Sequence, residues 1–184
     1  EVVETDTYTI EVFEADSTGS SLGYVFTEPL RRGRFDRDRA EALGVEPGPD
    51  FTDLTHGKPV TLDSGATIDP RSVVADPRPG RRIVYTGATR PTDTTIEAAS
   101  GADVLIHDGG CADEEWAMEA GRTAASQAGT IAEQAEVKKL VLTGILRKFT
   151  GRENELKQDA KNTFSGLVSV SIDNQRLEIE LTDD

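Results

Sequence analysis

The chain is predicted to be an α/β protein, on three observations. Apolar runs of strand length, RIVYT at 82–86, VLIH at 104–107 and LVLT at 140–143, are separated by segments with helical spacing. Alternating segments near both ends of the chain read as antiparallel strands added to that layered core. Finally, 184 residues with 36 % hydrophobic but only 5 % aromatic side chains suit one domain with an aliphatic core.

Taken in order, Tyr8–Phe13 and Leu22–Thr27 alternate as strands on either side of a Thr18-Gly19 turn. Residues 29–80 then form an arginine-rich helix and loop excursion with a small hairpin, inside a single domain spanning 1–184. Asp36 is placed to cap a short helix ending near Gly44, and Pro77, Pro79 and Gly80 close the excursion. Beyond the 82–86 strand, a helical segment at Ile96–Ala99 precedes the 104–107 strand. Helices are expected over 113–120 and 124–135, a strand at 140–143, and a helix over 154–164. A hairpin of 168–172 with 177–181, turning on Asp173-Asn174, closes the chain.

Thirty-four acidic residues against 20 Lys and Arg give a net charge of −14. Extended DNA or RNA contacts gain affinity from clustered cations that release counterions, so no DNA partner is expected. Acidic groups spread so evenly read as a surface for high salt, where screening acts over about 3 Å at 1 M. Cys111 is the single cysteine, which excludes an intrachain disulfide and a cysteine-built metal site. No apolar run approaches the ~20 residues needed to cross a bilayer, and the first residues lack a secretory pattern, so a cytoplasmic location is expected. The first residue is not Met, which leaves open a processed or truncated start.

Chemistry in α/β sheets gathers at strand exits, here YTGATRP at 85–91, LIHDGG at 105–110 and VLTGILRKF at 141–149. By residue type, His107 with Asp108 reads either as a metal or acid/base pair or as a buried strand end, and His56 as a loop residue. Two histidines are too few for a histidine-rich zinc site. Arg31, Arg32, Arg34, Arg37 and Arg39 concentrate positive charge, serving either an anion or pairing with neighbouring carboxylates.

Longer motifs carry a resemblance. LGYVFTEP, GRFDRDRAEALGVEPGPDF, GKPVTLDSG, RPGRRIVYTGATRP, ADVLIHDGG, TAASQAGTIAEQAEVKKLVLTG and RKFTG follow one another along nearly the whole chain. Together they resemble the C-terminal portion of ribonuclease Z, the endonuclease of metallo-β-lactamase fold that processes transfer-RNA 3′ ends. The resemblance implies an αββα layering, of which this chain supplies roughly the C-terminal half. It also implies a metal centre whose ligands are missing here. Ala88 stands where the family has a metal-bridging Asp, and Gly144 where it has a metal-binding His. Arg122 replaces a His tied to catalysis, and a further metal-site His near Ser17 is lacking. The HxHxDH motif and the flexible RNA-gripping arm belong to an N-terminal half outside these residues.

What survives of the pattern is His107 with Asp108, Arg90, and the Pro47-Gly48-Pro49 loop, which in the family lies near the transfer-RNA acceptor end. No catalytic residue, no metal and no cofactor is therefore expected, zinc entering only if the chain proves active. The expected role is a structural or interaction subunit, pairing with itself or with a full-length relative. The alternatives are a transfer-RNA-binding module using Arg31, Arg32, Arg34, Arg90 and the Pro-Gly-Pro loop, or a zinc-dependent endoribonuclease.

Overall fold

The computed structural model describes residues 3–181. It divides into two compact units, one of the residues up to 28 with those from 81 onward, the other of residues 29–80. The first opens with β1 (Val3–Glu4), β2 (Thr9–Asp16) and β3 (Ser20–Thr27), an antiparallel meander in which Phe13 faces Gly23.

The second unit holds α1 (Arg37–Ala42), α2 (Pro49–Thr55) and a two-strand hairpin of β4 (Val60–Thr61) and β5 (Thr67–Ile68). Asp36 caps α1 by accepting the Arg39 amide at 2.9 Å, as the sequence predicts. Pro49 occupies the first turn of α2, where its missing amide proton costs nothing, so the Pro-Gly-Pro loop is the entry to a helix not anticipated from the sequence. Ala40, Val45, Leu54, Val60, Ile68 and Val73 bury together as the core of this unit.

The first unit resumes with β6 (Arg82–Tyr85), α3 (Asp93–Ala99), β7 (Val104–Asp108), α4 (Glu114–Glu119), α5 (Ala125–Gln134), β8 (Lys139–Thr143), α6 (Glu153–Lys161) and β9 (Leu167–Val170). The sheet order is β1-β2-β3-β6-β7-β8-β9. Pairing is antiparallel as far as β6 and parallel from β6 to β9. Val84, Leu105, Leu140, Leu142 and Val168 share one sheet face and pack with Ala99, Ala117, Ile131, Leu156 and Ala160 from the helices. Each fully buried leucine among them contributes about 2 kcal/mol by area. Ala125, Ala128 and Ala132 give α5 a flat face that sits close against the sheet.

The expected closing hairpin is not formed. β9 joins β8 in parallel through α6, and residues 177–181 carry no strand. A turn does occur at Asp173-Asn174, with the Gln175 amide donating to the Ile172 carbonyl at 3.1 Å. Beyond it, however, the Ile179 carbonyl accepts from Arg81 Nη1 at 3.2 Å instead of pairing with β9. The antiparallel addition is thus confined to the N-terminal side of the sheet.

Candidate functional site at the strand exits

The carboxyl ends of β7 and β8 lie side by side, Asp108 being paired with Thr143, so Asp108 and Gly144 are neighbours by register. Between α4 and α5 the chain must turn sharply. Gly121, at φ +70°, ends α4 in the left-handed region that glycine tolerates, and the Arg122 amide donates back to the Ala117 carbonyl at 2.8 Å. This turn sends the Arg122 side chain across both strand ends.

Its guanidinium grips Asp108 with two hydrogen bonds, Nη2 to Oδ1 at 2.5 Å and Nε to Oδ2 at 3.0 Å. Nη2 also donates to the Gly144 carbonyl at 2.7 Å, and the Thr123 amide approaches Asp108 Oδ2 at 3.4 Å. The Asp108 side chain is 2 % exposed and that of Arg122 21 %. The fork geometry matches a carboxylate in two places, which a single point charge does not. These bonds hold the Arg122 pKa above its ordinary value. Gly144 is obligatory in this arrangement. Its φ is +68°, and a Cβ there would fall against Arg122 Nη2 and 2.8 Å from Asp108 Oδ1.

The remaining positions singled out around this centre join the same network. Ser17 Oγ donates to the Gly121 carbonyl at 3.0 Å, and Thr123 Oγ to the Thr89 carbonyl at 2.6 Å. The Ala88 carbonyl accepts from Ser21 Oγ at 2.8 Å. Ser17, Asp108, Arg122 and Gly144 are therefore brought together, and Ala88 is tied to them through the next residue, Thr89, whose carbonyl holds Thr123. Thr123 was not among the residues singled out from the sequence, and nothing in its local context marks it.

These residues do not fit a divalent metal. Both Asp108 oxygens are engaged by N–H donors, and Ala88 and Gly144 carry no ligand atom. Among the described residues, no group of three or more His, Cys, Asp or Glu side chains is arranged to hold an ion. His107 does not supplement Asp108, because successive strand residues point to opposite faces. It is fully buried, its Nδ1–H donates to the Asp108 carbonyl at 2.6 Å, and its Nε2 has no partner among the described residues. Burial pushes its pKa below the ordinary 6.5, so the ring is neutral. Cys111 is likewise buried, which raises its pKa and keeps the thiol protonated.

Arg90 is committed within the first unit, to Asp16 at 2.9 Å and to the Met118 carbonyl at 2.8 Å. In the second unit the arginines divide among surfaces, Arg34 and Arg39 lining one cleft with Arg71. Arg31 Nε donates to the Pro79 carbonyl at 3.1 Å, and Arg37 pairs with Glu41 at 2.8 Å. Arg32 lines a cleft with Arg71 and His56. The cleft beside the Pro-Gly-Pro segment is lined instead by Glu46, Asp50 and Asp63, so that loop and Arg32 open onto different surfaces.

The model of the beta-lactamase superfamily domain matches residues 35–145. The chain belongs to the β-lactamase superfamily. Within that superfamily it is similar to proteins named ribonuclease Z. It is 44 % identical over 186 residues to that of Natronomonas pharaonis, covering 100 % of this chain and 60 % of the relative. With that of Methanosarcina acetivorans it shares 43 % over 181 residues, covering 97 % and 59 %. The chain thus spans about 60 % of the length of these curated relatives.

Two solved structures share the fold. The metallo-β-lactamase fold protein YhfI from Bacillus subtilis aligns at TM-score 0.59 and 18 % identity, over 93 % of this chain and 49 % of that one. Human tRNase Z, short form, aligns at TM-score 0.57 and 16 % identity, over 97 % and 46 %. The fold expected from the sequence is the observed one, half of the αββα layering: a seven-stranded sheet with helices packed on one face.

Proposed function

We propose that the chain is a non-catalytic ribonuclease Z-like subunit, retaining the scaffold and not the hydrolytic centre. The observation that carries this reading is the Arg122 guanidinium bound to Asp108 and to the Gly144 carbonyl. A buried carboxylate needs a cation, and here a side chain fixed by its own turn supplies it. Metal-dependent hydrolysis requires ions that polarise the phosphate and lower the pKa of water, and this site offers them no ligand set.

Support for an interaction role comes from the sheet face away from the helices. Val3, Leu22, Tyr24, Tyr85 and Leu167 all lie on it by register, and all are exposed. Such an apolar face suits pairing with a second copy or with a full-length relative. The acidic surface is read as suited to high salt, and tests belong in molar KCl.

The test is a precursor-transfer-RNA cleavage assay with excess zinc or manganese. The Natronomonas pharaonis ribonuclease Z serves as positive control, and the part of that relative lying outside the similarity is added in trans. No cleavage above background is expected in either mixture. Metal-dependent cleavage at the 3′ end by the chain, alone or complemented, would show that the centre works.

A further inference from the structure

The last described residues cross the sheet on the face away from the helices. Arg81 continues the β3–β6 ladder, the Glu28 amide donating to its carbonyl at 2.9 Å, so by the two-residue repeat it shares a face with Ile83 and Tyr85. Its guanidinium holds the Glu28 carboxylate through Nε, at 2.8 Å, and Nη2, and gives Nη1 to the Ile179 carbonyl at 3.2 Å. Arg81 stands at the start of β6, whereas the chain leaves β9 at the far end of the parallel strands and three strands away. After the turn at Asp173-Asn174, extended chain at about 3.3 Å per residue covers that distance by running diagonally over β8 and β7. Leu177 and Ile179 are half-buried while Gln175, Arg176, Glu178 and Glu180 are exposed, so the alternation is directed at the sheet.

This cover is partial. Val104 and Val141 turn away from the helices by register and lie outside the helix-side core, yet they are only 2 % and 1 % exposed. On the same face Tyr24 and Tyr85, directly opposite each other on β3 and β6, are 42 % and 44 % exposed. The crossing segment therefore shields β7 and β8 and leaves β3 and β6 open. It is also held lightly. Among the described residues the main chain of 176–181 makes one hydrogen bond, the one to Arg81. Ser169 Oγ, on the covered face opposite Val141, is buried without a partner, an unfavourable state that uncovering relieves. Asn174, at φ +60°, sits in the left-handed region that asparagine tolerates and marks the hinge.

We propose that residues 175–181 are a displaceable strap that controls pairing of this sheet face with a second copy of the chain, Arg81 being the latch. The proposal rests on the interaction role given above and adds its control. The strand β6 is the middle one of seven, so a two-fold axis through it sets Tyr24 and Tyr85 against the same residues of the other copy, a self-complementary aromatic centre. By strand spacing the open part of the face is roughly 15 by 20 Å, short of the about 800 Å² per partner that a stable interface buries. The whole face is about twice as large. Lifting the strap adds Ile106, Val104 and Val141 to the surface that pairs. The latch opens without stranding a charge, because Arg81 keeps Glu28.

The test is sedimentation of the full chain in molar KCl over a wide range of protein concentration, with circular dichroism to confirm folding. Two strap variants are compared with the parent: L177S/I179S, which removes the apolar grip, and R81Q, which removes the latch. Each is expected to self-associate about tenfold more tightly than the parent or better. Adding Y24K/Y85K to either should abolish the gain. Equal association by the parent and both strap variants, lost with Y24K/Y85K, would overturn the strap and leave the interaction role standing. A gain that survives Y24K/Y85K would place the contact on another surface and overturn the proposal as well. No association by any variant would overturn the second copy as partner. Binding, in that case, of the part of the Natronomonas pharaonis relative lying outside the similarity would assign the face to a full-length relative instead.

Discussion

Arg122→Met should destabilise the fold by about 3 kcal/mol, because it leaves the carboxylate of Asp108 buried without its cation. The Gly144 carbonyl loses the guanidinium in the same step, and the Thr123 amide is the one hydrogen-bond donor left to Asp108 Oδ2 among the described residues. Denaturant unfolding in molar KCl measures this directly, as a fall in midpoint with an unchanged slope. Arg122→Lys should lie between the two, since an ammonium keeps the charge but cannot reach both carboxylate oxygens and the carbonyl together. Asp108→Asn combined with Arg122→Met should recover part of the loss, because the uncompensated charge is then gone. A midpoint for Arg122→Met equal to that of the parent would mean that the clamp contributes nothing to the fold.

Gly144→Ala should be comparably severe for two separate reasons. A side chain at φ +68° costs roughly 1 kcal/mol in the left-handed region. Its Cβ would also stand against Arg122 Nη2 and Asp108 Oδ1, so the clamp must open to admit it. The two causes separate in a double-mutant cycle. In the Arg122→Met background the steric cause is absent, and Gly144→Ala should cost only the backbone strain, giving a coupling on the order of 1–3 kcal/mol. Histidine at 144 meets the same obstacle, because its Cβ occupies the same place. A ligand at this position therefore cannot be regained while Arg122 remains. Strict additivity of the two changes would show that the glycine and the arginine are unrelated.

The layered core was legible in the sequence because its strands are short, apolar and bounded by glycine turns. The parallel strands β6, β7 and β8 fall within one residue of the runs read from periodicity. The C-terminal hairpin was misread for a physical reason. Leu177, Ile179 and Leu181 alternate as a strand would, but alternation does not specify a partner, and the main chain of Ile179 finds Arg81 instead. Helix α2 was missed because Pro-Gly-Pro reads as a turn, although proline is also favoured at a helix start.

At the site, the sequence shows which side chains differ from the ribonuclease Z pattern but not what takes their place. Arg122 and Asp108 are 14 residues apart, and only the packing of α4 and α5 against the strand ends makes them a pair. Of the two readings of His107 the buried strand end is the observed one, because the two-residue repeat of a strand turns the imidazole into the core, away from the Asp108 carboxylate.

The most direct test is the zinc content of the full chain after equilibration with excess zinc and removal of free ion, read by mass spectrometry alongside the Nε–H resonance of Arg122. Well under one zinc per chain is expected, with the Arg122 resonance unmoved and still protected from exchange by its bond to Asp108. One or two zinc ions per chain, bound reversibly with a shift of that resonance, would contradict a centre closed by its own arginine.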